Sequence, residues 1–424
     1  MMFFAIAVFI VVLFVFAVDL VHRTPAALAG AVLLVIVGAI GQEEAIEAVH
    51  WETLGLLVGM MILVGILKDS GVFGYLAIKS AQLAGGRPGL VLIYLAAITA
   101  LLSAFLDNVT TVLLMFPVTL VIAQILEEDP IPFLIVEVLA SNIGGTATLV
   151  GDPPNIIIGT VVEELTFMDF IVNLAPPIVA ILLVTLGLVW LVHGRKLRTT
   201  EEDRRGVMAL EAGEEIEDRK LLVRAGAVCA ATVVGFFLQQ ITGLNPAIVA
   251  LAGAAVAMLV CSPEIESVLH EVEWPTILFF VGLFVMVGAL ESTGFIDLVA
   301  ESLASASGSP AGTAMVVMWG SGLASGVVDN IPFTATMIPV IEGLAEARGY
   351  DVATTEPLWW SLSLGACLGG NFTLIGASAN LVVAGLVARE GMTTFTFLRF
   401  LLWGFPLTLV ALAISSAYVL LFYY

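Results

Sequence analysis

Charged residues are scarce in this sequence. They make up 12% of its 424 residues, against about 25% in an ordinary soluble domain, while hydrophobic residues make up 60%. Long polar stretches are scarce as well, because apolar stretches near the ~20 residues of a bilayer crossing recur along nearly the whole chain. These shortages exclude a soluble protein and predict an all-α polytopic protein whose surroundings are the lipid bilayer.

Basic residues and cysteines are also few. The 15 Lys and Arg stand against 36 Asp and Glu, giving a formal net charge of -21, which argues against nucleic acid as a partner. The three cysteines form no CxxC pair, which excludes a disulfide scaffold and a thiolate metal site. HExxH, GxSxG and GxGD motifs are absent, so we expect no enzymatic activity and no cofactor beyond a possible bound Na+. The first apolar segment, residues 3–20, lacks a basic n-region and is interpreted as a retained helix.

An internal repeat organises the chain. A W-x-T motif followed by two V-G pairs begins at Trp51 and again at Trp274, and two further stretches recur at nearly the same offset. The repeat predicts a first transmembrane repeat (1–192), a linker (193–220) and a second transmembrane repeat (221–424). The recurring stretches are SAFLDNVTTVLLMFPV (103–118) with SGVVDNIPFTATMIPV (325–340), and GGTATLVGDPPN (144–155) with GGNFTLIGASAN (369–380).

Each repeat is predicted to contain three helices, a short amphipathic stretch, two apolar arms that meet at Asp-Asn, a segment broken by glycines, and a last helix. If the Asp-Asn pair is the tip of a re-entrant hairpin, each repeat crosses the membrane five times, and the odd number inverts the second repeat. With the linker in the cytoplasm and both termini extracellular, 14 of the 15 basic residues lie on the cytoplasmic side of the cell membrane, as the positive-inside rule requires. The hairpins then enter from opposite sides, and their tips can meet near the midplane.

These motifs resemble the ArsB and NhaD branch of the ion transporter superfamily, and within it the sequence looks most like the group of the melanosomal P protein. WETLGLLVGMMILVGILKDSGVFGY, LDNVTT and GDPPN carry the resemblance, together with VVDNIPFTATMIPV and LGGNFTLIGASANLVV in the second repeat. It implies a secondary transporter with inverted repeats, a scaffold subdomain, an elevator-like transport subdomain and a homodimeric assembly. Superfamily members that carry dicarboxylates have Ser-Asn-Thr at the hairpin tip, where this sequence has Asp-Asn-Val and Asp-Asn-Ile. That departure disfavours a dicarboxylate substrate.

Asp107 and Asp329 are the first candidates for chemistry. An aspartate at membrane depth costs about 2.5–3.5 kcal/mol on insertion scales, so two at equivalent repeat positions indicate a function. They could also cap the descending hairpin arm, and both roles can coexist. The glycine-broken segments would free carbonyl groups at membrane depth, and freed carbonyls coordinate cations. The predicted ion-binding residues are Asp107, Asn108, Thr110, Thr111, Thr146, Gly151, Asp152, Asn155, Asp329, Asn330, Thr334, Asn371, Thr373, Gly376 and Asn380, with Na+ at Asp107, Asn108, Gly151 and Asn155.

Glu137 is a third candidate for proton coupling, after Asp107 and Asp329. It lies one helical turn before Ser141, and the matching position in the second repeat is Leu362. A lone intramembrane acid is suited to carrying protons, but Glu137 could equally lie near the cytoplasmic surface.

Proton-coupled cation exchange, with Na+ as the leading cation, is the function that these residues favour. Carboxylates around a midplane site favour cations over anions, and a desolvated carboxyl is suited to exchanging protons near neutral pH. The alternatives are arsenite, antimonite or inorganic anion transport within the same family, and an ion channel whose pore is lined by the same residues.

Overall fold

The computed structural model describes residues 1–18, 21–306 and 308–424, and every regular element in these ranges is helical. Residues 19 and 20, the predicted end of the first segment, lie outside the described residues. The first repeat contains α1 (Met2–Val18), α2 (Arg23–Val37), α3 (Gln42–Glu47), α4 (Trp51–Lys68), α5 (Val72–Leu83), α6 (Pro88–Ser103), α7 (Asn108–Ile125), α8 (Pro130–Gly145), α9 (Pro153–Val161) and α10 (Phe167–Val189). The remainder contains α11 (Glu201–Ala209), α12 (Arg219–Phe237), α13 (Gln239–Thr242), α14 (Pro246–Cys261), α15 (Ile265–His270), α16 (Trp274–Ser292), α17 (Phe295–Ala306), α18 (Pro310–Ser325), α19 (Asn330–Arg348), α20 (Val352–Gly369), α21 (Ser378–Arg389) and α22 (Phe397–Phe422).

The two repeats have the same order of elements, which confirms the predicted fold class. In the first repeat, α6 and α7 form a hairpin, and α8 and α9 are the two halves of a helix broken at 146–152. In the second repeat, α18 and α19 form the hairpin, and α20 and α21 are separated by 370–377. The glycines that the sequence places beside both breaks end the first half-helix in each case.

Six of the described helical segments are long and apolar enough to cross a membrane. Other apolar helices are shorter: α2 has 15 residues and α14 has 16, which correspond to about 22–24 Å, less than the ~30 Å of a hydrocarbon core. Ten full crossings therefore remain a prediction. The six candidate spans are 42–68, 108–125, 167–194, 219–237, 274–292 and 397–422.

A first unit, here called the scaffold, is built from helices of both repeats that pack on each other. Helix α4 of the first repeat packs on α14 of the second, and α16 packs on α2. The V-G pairs of the sequence lie at these contacts. A Cβ at Gly59 would lie 2.7 Å from the carbonyl carbon of Ala250, and one at Gly282 would lie 2.7 Å from that of Ala27. Only glycine permits the two backbones to approach so closely, as is typical of small-residue contacts between membrane helices.

The hairpins and broken helices form a second unit that also mixes the repeats. Helices α6 and α8 pack together, as do α18 and α20, while α7 contacts α21 and α19 contacts α9. These crossed contacts place the two hairpin tips and the two helix breaks around one centre.

The linker is more ordered than a plain surface connection. A π-helical turn at Trp190–Gly194 continues α10 past the predicted boundary, and α11 lies within the linker. Val207 of α11 is fully buried, and Gln82 Nε2 of α5 donates to the Leu210 carbonyl at 2.7 Å. The linker therefore packs against the first repeat, chiefly on α5.

Candidate functional site

Each predicted tip aspartate caps the helix that follows it. Asp107 Oδ1 accepts from the Thr110 amide at 2.9 Å, and Asp329 Oδ1 accepts from the Ile331 amide at 3.0 Å. Each cap uses one carboxylate oxygen. The capping interpretation thus describes part of their role, and the second oxygen of Asp329 contacts Arg23 and Ser378 instead.

The two tips meet at Asp152. Asn108 Nδ2 donates to Asp152 Oδ1 at 3.3 Å, and Asn330 Nδ2 donates to the same oxygen at 3.4 Å. Asp152 is fully buried, and its other oxygen, Oδ2, accepts no hydrogen bond from an N–H or O–H group of the described residues. A buried carboxylate oxygen without a donor is costly unless a cation or proton satisfies it. In the second repeat, Ala377 occupies the matching position.

A cavity of about 20 Å³ adjoins this carboxylate, large enough for about one water molecule or small ion. The described residues contain no group of three or more His, Cys, Asp or Glu placed to hold a metal ion. A bound cation would therefore need amide, hydroxyl or carbonyl oxygens beside the carboxylates. The polar residues that line the cavity are Arg23, Asp107, Asn108, Asp152, Glu273, Thr276, Asn330 and Ser378.

Arg23 makes the two tips electrostatically unequal. Its guanidinium Nη1 lies 3.4 Å from Asp329 Oδ2, and Nη2 donates to Thr276 Oγ1 at 3.3 Å. Arg23 also donates to Ser378 Oγ. Among the described residues no basic side chain forms an ion pair with Asp107.

An asparagine network holds the two helix breaks together behind the cavity. Asn142 Nδ2 donates to Asn371 Oδ1 at 2.8 Å and to Asn380 Oδ1 at 3.0 Å, while its own Oδ1 accepts from Asn108 Nδ2 at 2.9 Å. A residue of the second repeat makes the corresponding contact to the first: Cys367, which matches Asn142, donates Sγ–H to Asn155 Oδ1 at 3.7 Å. Asn371 and Asn380 thus contact Asn142 across the repeats, and Asn155 contacts Cys367 across them. Asn108 joins the first tip to Asn142 within its own repeat.

The four residues predicted to hold Na+ are divided between two places. Asp107 and Asn108 line the cavity, whereas Gly151 and Asn155 do not. Asn155 Nδ2 instead donates to the Thr146 and Thr148 carbonyls at 3.0 and 2.8 Å. A Cβ at Gly151 would lie 2.5 Å from the Gly145 carbonyl oxygen, so this glycine permits close packing at the break. A Cβ at Gly376 would likewise lie close to a backbone atom, 2.8 Å from the Gly370 carbonyl oxygen.

Most of the predicted threonines satisfy backbone carbonyls. Thr111, Thr146 and Thr334 donate to the carbonyl four residues earlier, at 2.9, 2.7 and 2.8 Å, which is an ordinary use of threonine in membrane helices. Thr373 Oγ1 donates to the Gly326 carbonyl at 2.6 Å and so attaches the second break to the second hairpin tip. Thr110 is half-buried beside Asp107.

Glu137 lies apart from the cavity. It is 2% exposed, and its Oε1 accepts from Thr119 Oγ1 of α7 at 2.7 Å. Glu137 is therefore enclosed by the hairpin and broken-helix unit, and its position at membrane depth stays a prediction. Its matching positions in the second repeat are both apolar and buried, Leu362 for Glu137 and Ile341 for Thr119.

Four residues of the site were not predicted from the sequence: Arg23, Glu273, Thr276 and Ser378. The positive-inside rule treats Arg23 as a loop charge, but its side chain reaches the cavity. One signal could have identified it: at the offset of 223 that relates Trp51 to Trp274, Arg23 matches Pro246, so the charge is specific to one repeat.

Comparison with known proteins relates the chain to membrane transporters. Residues 11–365 match the citrate transporter (CitMHS) family. An uncharacterized transporter of Mycobacterium tuberculosis is 42% identical over 99% of this chain and 98% of its own length. The 46 kDa membrane protein of Mycobacterium leprae is 39% identical over 99% of this chain and 98% of its own length. The human P protein is 34% identical over 95% of this chain, which spans 58% of that protein.

A solved structure shares the fold. The YdaH transporter of Alcanivorax borkumensis, whose structure has an unusual topology, superposes with a TM-score of 0.56 at 16% sequence identity. The match covers 87% of this chain and 84% of that one.

Proposed function

The chain belongs to the citrate transporter (CitMHS) family, and from that premise we propose that this membrane transporter exchanges a small cation, with Na+ as the leading candidate, for protons. The family assignment and the similarity to P protein confirm the resemblance drawn from the motifs. They establish a multi-pass membrane transporter, and the ion and the coupling are our proposal.

One observation carries the proposal. Both hairpin tips donate to a single oxygen of Asp152, and the other oxygen of this buried carboxylate accepts no hydrogen bond from an N–H or O–H group of the described residues, beside a cavity of about 20 Å³. Asp107 and Glu273 add negative charge to the same cavity. A desolvated site with more carboxylates than basic groups favours a cation, and protons compete for the same oxygens.

An elevator motion of the hairpin unit fits the asymmetry between the repeats. Thr53 and Thr276 are matching residues of α4 and α16, yet they face different levels of the broken helices. Thr53 Oγ1 lies 2.5 Å from Thr160 Oγ1, near the end of α9, whereas Thr276 and Ser378, at the start of α21, receive hydrogen bonds from one guanidinium. Thr160 matches Gly385, seven residues beyond Ser378. For Thr276 to face Gly385 as Thr53 faces Thr160, the hairpin and broken-helix unit must slide along the scaffold by seven helical residues, or about 10 Å.

A carboxylate substrate is the second candidate. The family description names citrate, and Arg23 also lines a neighbouring cavity of about 450 Å³, together with His22, Asp329 and Ser378. That cavity is large enough for a small organic anion.

The proposal is tested by flux into proteoliposomes that contain the purified protein. Na+, Li+, K+, arsenite and citrate are each supplied under an imposed pH gradient. We expect saturable Na+ or Li+ uptake that collapses the pH gradient. Uptake of citrate or arsenite that is indifferent to Na+ would contradict cation exchange, and non-saturating, counter-ion-independent current would indicate a channel.

Thermal unfolding supplies a second measurement. An ion at ten times its Kd should stabilise the detergent-solubilised protein by about 1.4 kcal/mol. Because protons compete for the carboxylates, the stabilisation should grow from pH 6 to pH 8. Choline chloride at equal ionic strength controls for general salt effects on a chain of net charge -21.

A further inference from the structure

Arg23 connects the scaffold to the second hairpin tip. It begins α2, which packs on α16 of the scaffold, while its guanidinium reaches Asp329 at the start of α19 and Ser378 at the start of α21. Ser378 Oγ in turn donates to Asp329 Oδ2 at 2.9 Å. The arginine, the serine and the aspartate form a closed triangle.

The guanidinium is held in place from several sides. Thr276 accepts from Nη2 at 3.3 Å, and the Phe279 ring lies 5.2 Å from Cζ, within the range of a cation–π contact. The side chain of Arg23 is 26% exposed and that of Asp329 is 13% exposed. A pair this sheltered interacts more strongly than one on an open surface, because solvent screens it less.

The first repeat has no equivalent arrangement. Pro246 matches Arg23, and Pro153 matches Ser378. None of the basic side chains that the structure describes forms an ion pair with Asp107 or Asp152. One tip therefore carries its own cation, and the other leaves its carboxylates uncompensated.

We propose that the Arg23 guanidinium is a tethered cation that takes, at the second tip, the place of a second transported cation. Asp329 is thereby neutralised within the chain, and cation binding is confined to Asp107 and Asp152. This inference rests on the proposed cation exchange and sets its stoichiometry at one cation per chain. When the hairpin unit moves, Asp329 leaves Arg23 behind on the scaffold, so the ion pair also belongs to one position of the unit.

Equilibrium binding of radioactive Na+ to the purified full-length protein tests the stoichiometry. We expect one Na+ per wild-type chain and two for Arg23→Gln, because the freed Asp329 then accepts an ion. Arg23→Lys and the double variant Arg23→Gln/Asp329→Asn should each return to one. Arg224→Gln is the matched control, since Arg224 is exposed and donates only to the Val260 carbonyl, at 3.4 Å; it should bind one Na+.

A double-mutant cycle of thermal stability over Arg23 and Asp329 tests the ion pair without reference to transport. We expect each single variant to melt lower than the double variant, because each leaves one charge uncompensated. Non-additive stability with a single Na+ bound to Arg23→Gln would overturn the tethered-cation role and leave a structural ion pair. Additive stability would overturn the pairing itself.

The remaining outcomes separate this inference from the proposed function. No Na+ bound to wild type but one bound to Arg23→Gln would refute cation exchange and support the neutralisation of Asp329. No Na+ on any variant would overturn both, and weaker citrate binding by Arg23→Gln would assign Arg23 to an anion instead. If Arg23→Gln folds poorly, NaCl but not choline chloride should restore its melting temperature, and failure of that rescue also overturns the inference.

Discussion

Asp152 is an acidic residue at the centre whose counterpart in the second repeat is uncharged. Its match is Ala377, so the carboxylate that contacts both tip asparagines comes from the first repeat alone. Its Oδ1 receives both tip asparagines, whereas Asp107 and Asp329 each use an oxygen to cap a helix. The side chain of Asp152 caps no helix. Asp152 is therefore the strongest candidate for binding the ion.

We predict that Asp152→Asn abolishes Na+-dependent stabilisation, removing about 1.4 kcal/mol at ten times the wild-type Kd. The amide preserves size and removes the charge. Asp351→Asn is the matched control, because Asp351 is an exposed N-cap that accepts from the Thr354 amide and asparagine caps equally well. Thermal unfolding in NaCl and choline chloride measures both. An unchanged Na+ response in Asp152→Asn would remove Asp152 from the site.

Glu137 and Thr119 form a buried polar pair that the second repeat replaces with Leu362 and Ile341. The second repeat thus shows that this position packs without a carboxyl. We therefore propose that this polar pair, kept in only one repeat, transfers protons within the hairpin and broken-helix unit.

We predict that Glu137→Gln still binds Na+ but loses proton-driven uptake by at least about tenfold, because glutamine keeps the acceptor and cannot titrate. The double variant Thr119→Ile/Glu137→Leu, which copies the second repeat, should fold and show the same loss. Thr119→Ile alone should be less stable by ~1–3 kcal/mol, since it leaves the carboxyl without its donor. Wild-type pH dependence in both Glu137 variants would show that Glu137 carries no protons.

At this scale the sequence predicted which residues lie at the centre better than what each one does. Repeated Asp-Asn and Gly-Asn motifs identified Asn108, Asn155, Asn330 and Asn380, and all four lie in the network at the tips and breaks. The roles of single oxygens also depend on contacts between residues far apart in the sequence, such as Asn330 and Asp152, which are 178 residues apart. Periodicity and spacing carry no such information, which is why Arg23 was read as a loop charge.

The elements themselves were predictable because each boundary has a local cause. Proline at the first position begins α6, α8, α9, α14 and α18, and an aspartate caps α7, α8, α19 and α20. The exchange of scaffold helices between repeats was not predictable, although its signal was present. The V-G pairs at Gly59 and Gly282 indicated close packing without naming the partner helix.

The unequal levels of Thr53 and Thr276 give a prediction about motion. In the exchanged arrangement Thr276 should face Gly385, as Thr53 now faces Thr160. We predict that Thr276→Cys/Gly385→Cys forms a disulfide during turnover, in a background whose three native cysteines are replaced by alanine. A Cβ at Gly385 meets nothing within 4 Å, so the substitution is tolerated.

The pair Thr53→Cys/Thr160→Cys is the control, because it should cross-link without any motion. A disulfide requires Cα atoms within about 7 Å, so a 10 Å slide separates the two outcomes. Gel mobility after mild oxidation measures both pairs. Cross-linking of the control alone, under conditions in which the protein transports, would contradict the elevator motion.

At the scale of the whole molecule, the orientation of the chain in the membrane determines which side the site faces. The site lies beside the first turns of α2 and α16, where Arg23, Glu273 and Thr276 line the cavity. If the linker is cytoplasmic, the arrangement described here has its site displaced toward the cytoplasm, and the slide would carry it outward. The side from which the ion reaches the site thus depends on the orientation of the linker.

We predict that the linker is cytoplasmic and that the α12–α14 connection, which contains α13, faces the opposite side. Glu214 of the linker and Thr242 of that connection are both exposed, so single cysteines at these positions, in the cysteine-free background, give a matched pair. Because α12 separates them and is apolar enough to span a membrane, a membrane-impermeant maleimide should label Thr242→Cys in intact cells and Glu214→Cys only after permeabilisation. Labelling of Glu214→Cys in intact cells would reverse the orientation and with it the side toward which the site is displaced. Labelling of both from one side would mean that α12 does not cross, and five crossings per repeat would then be wrong.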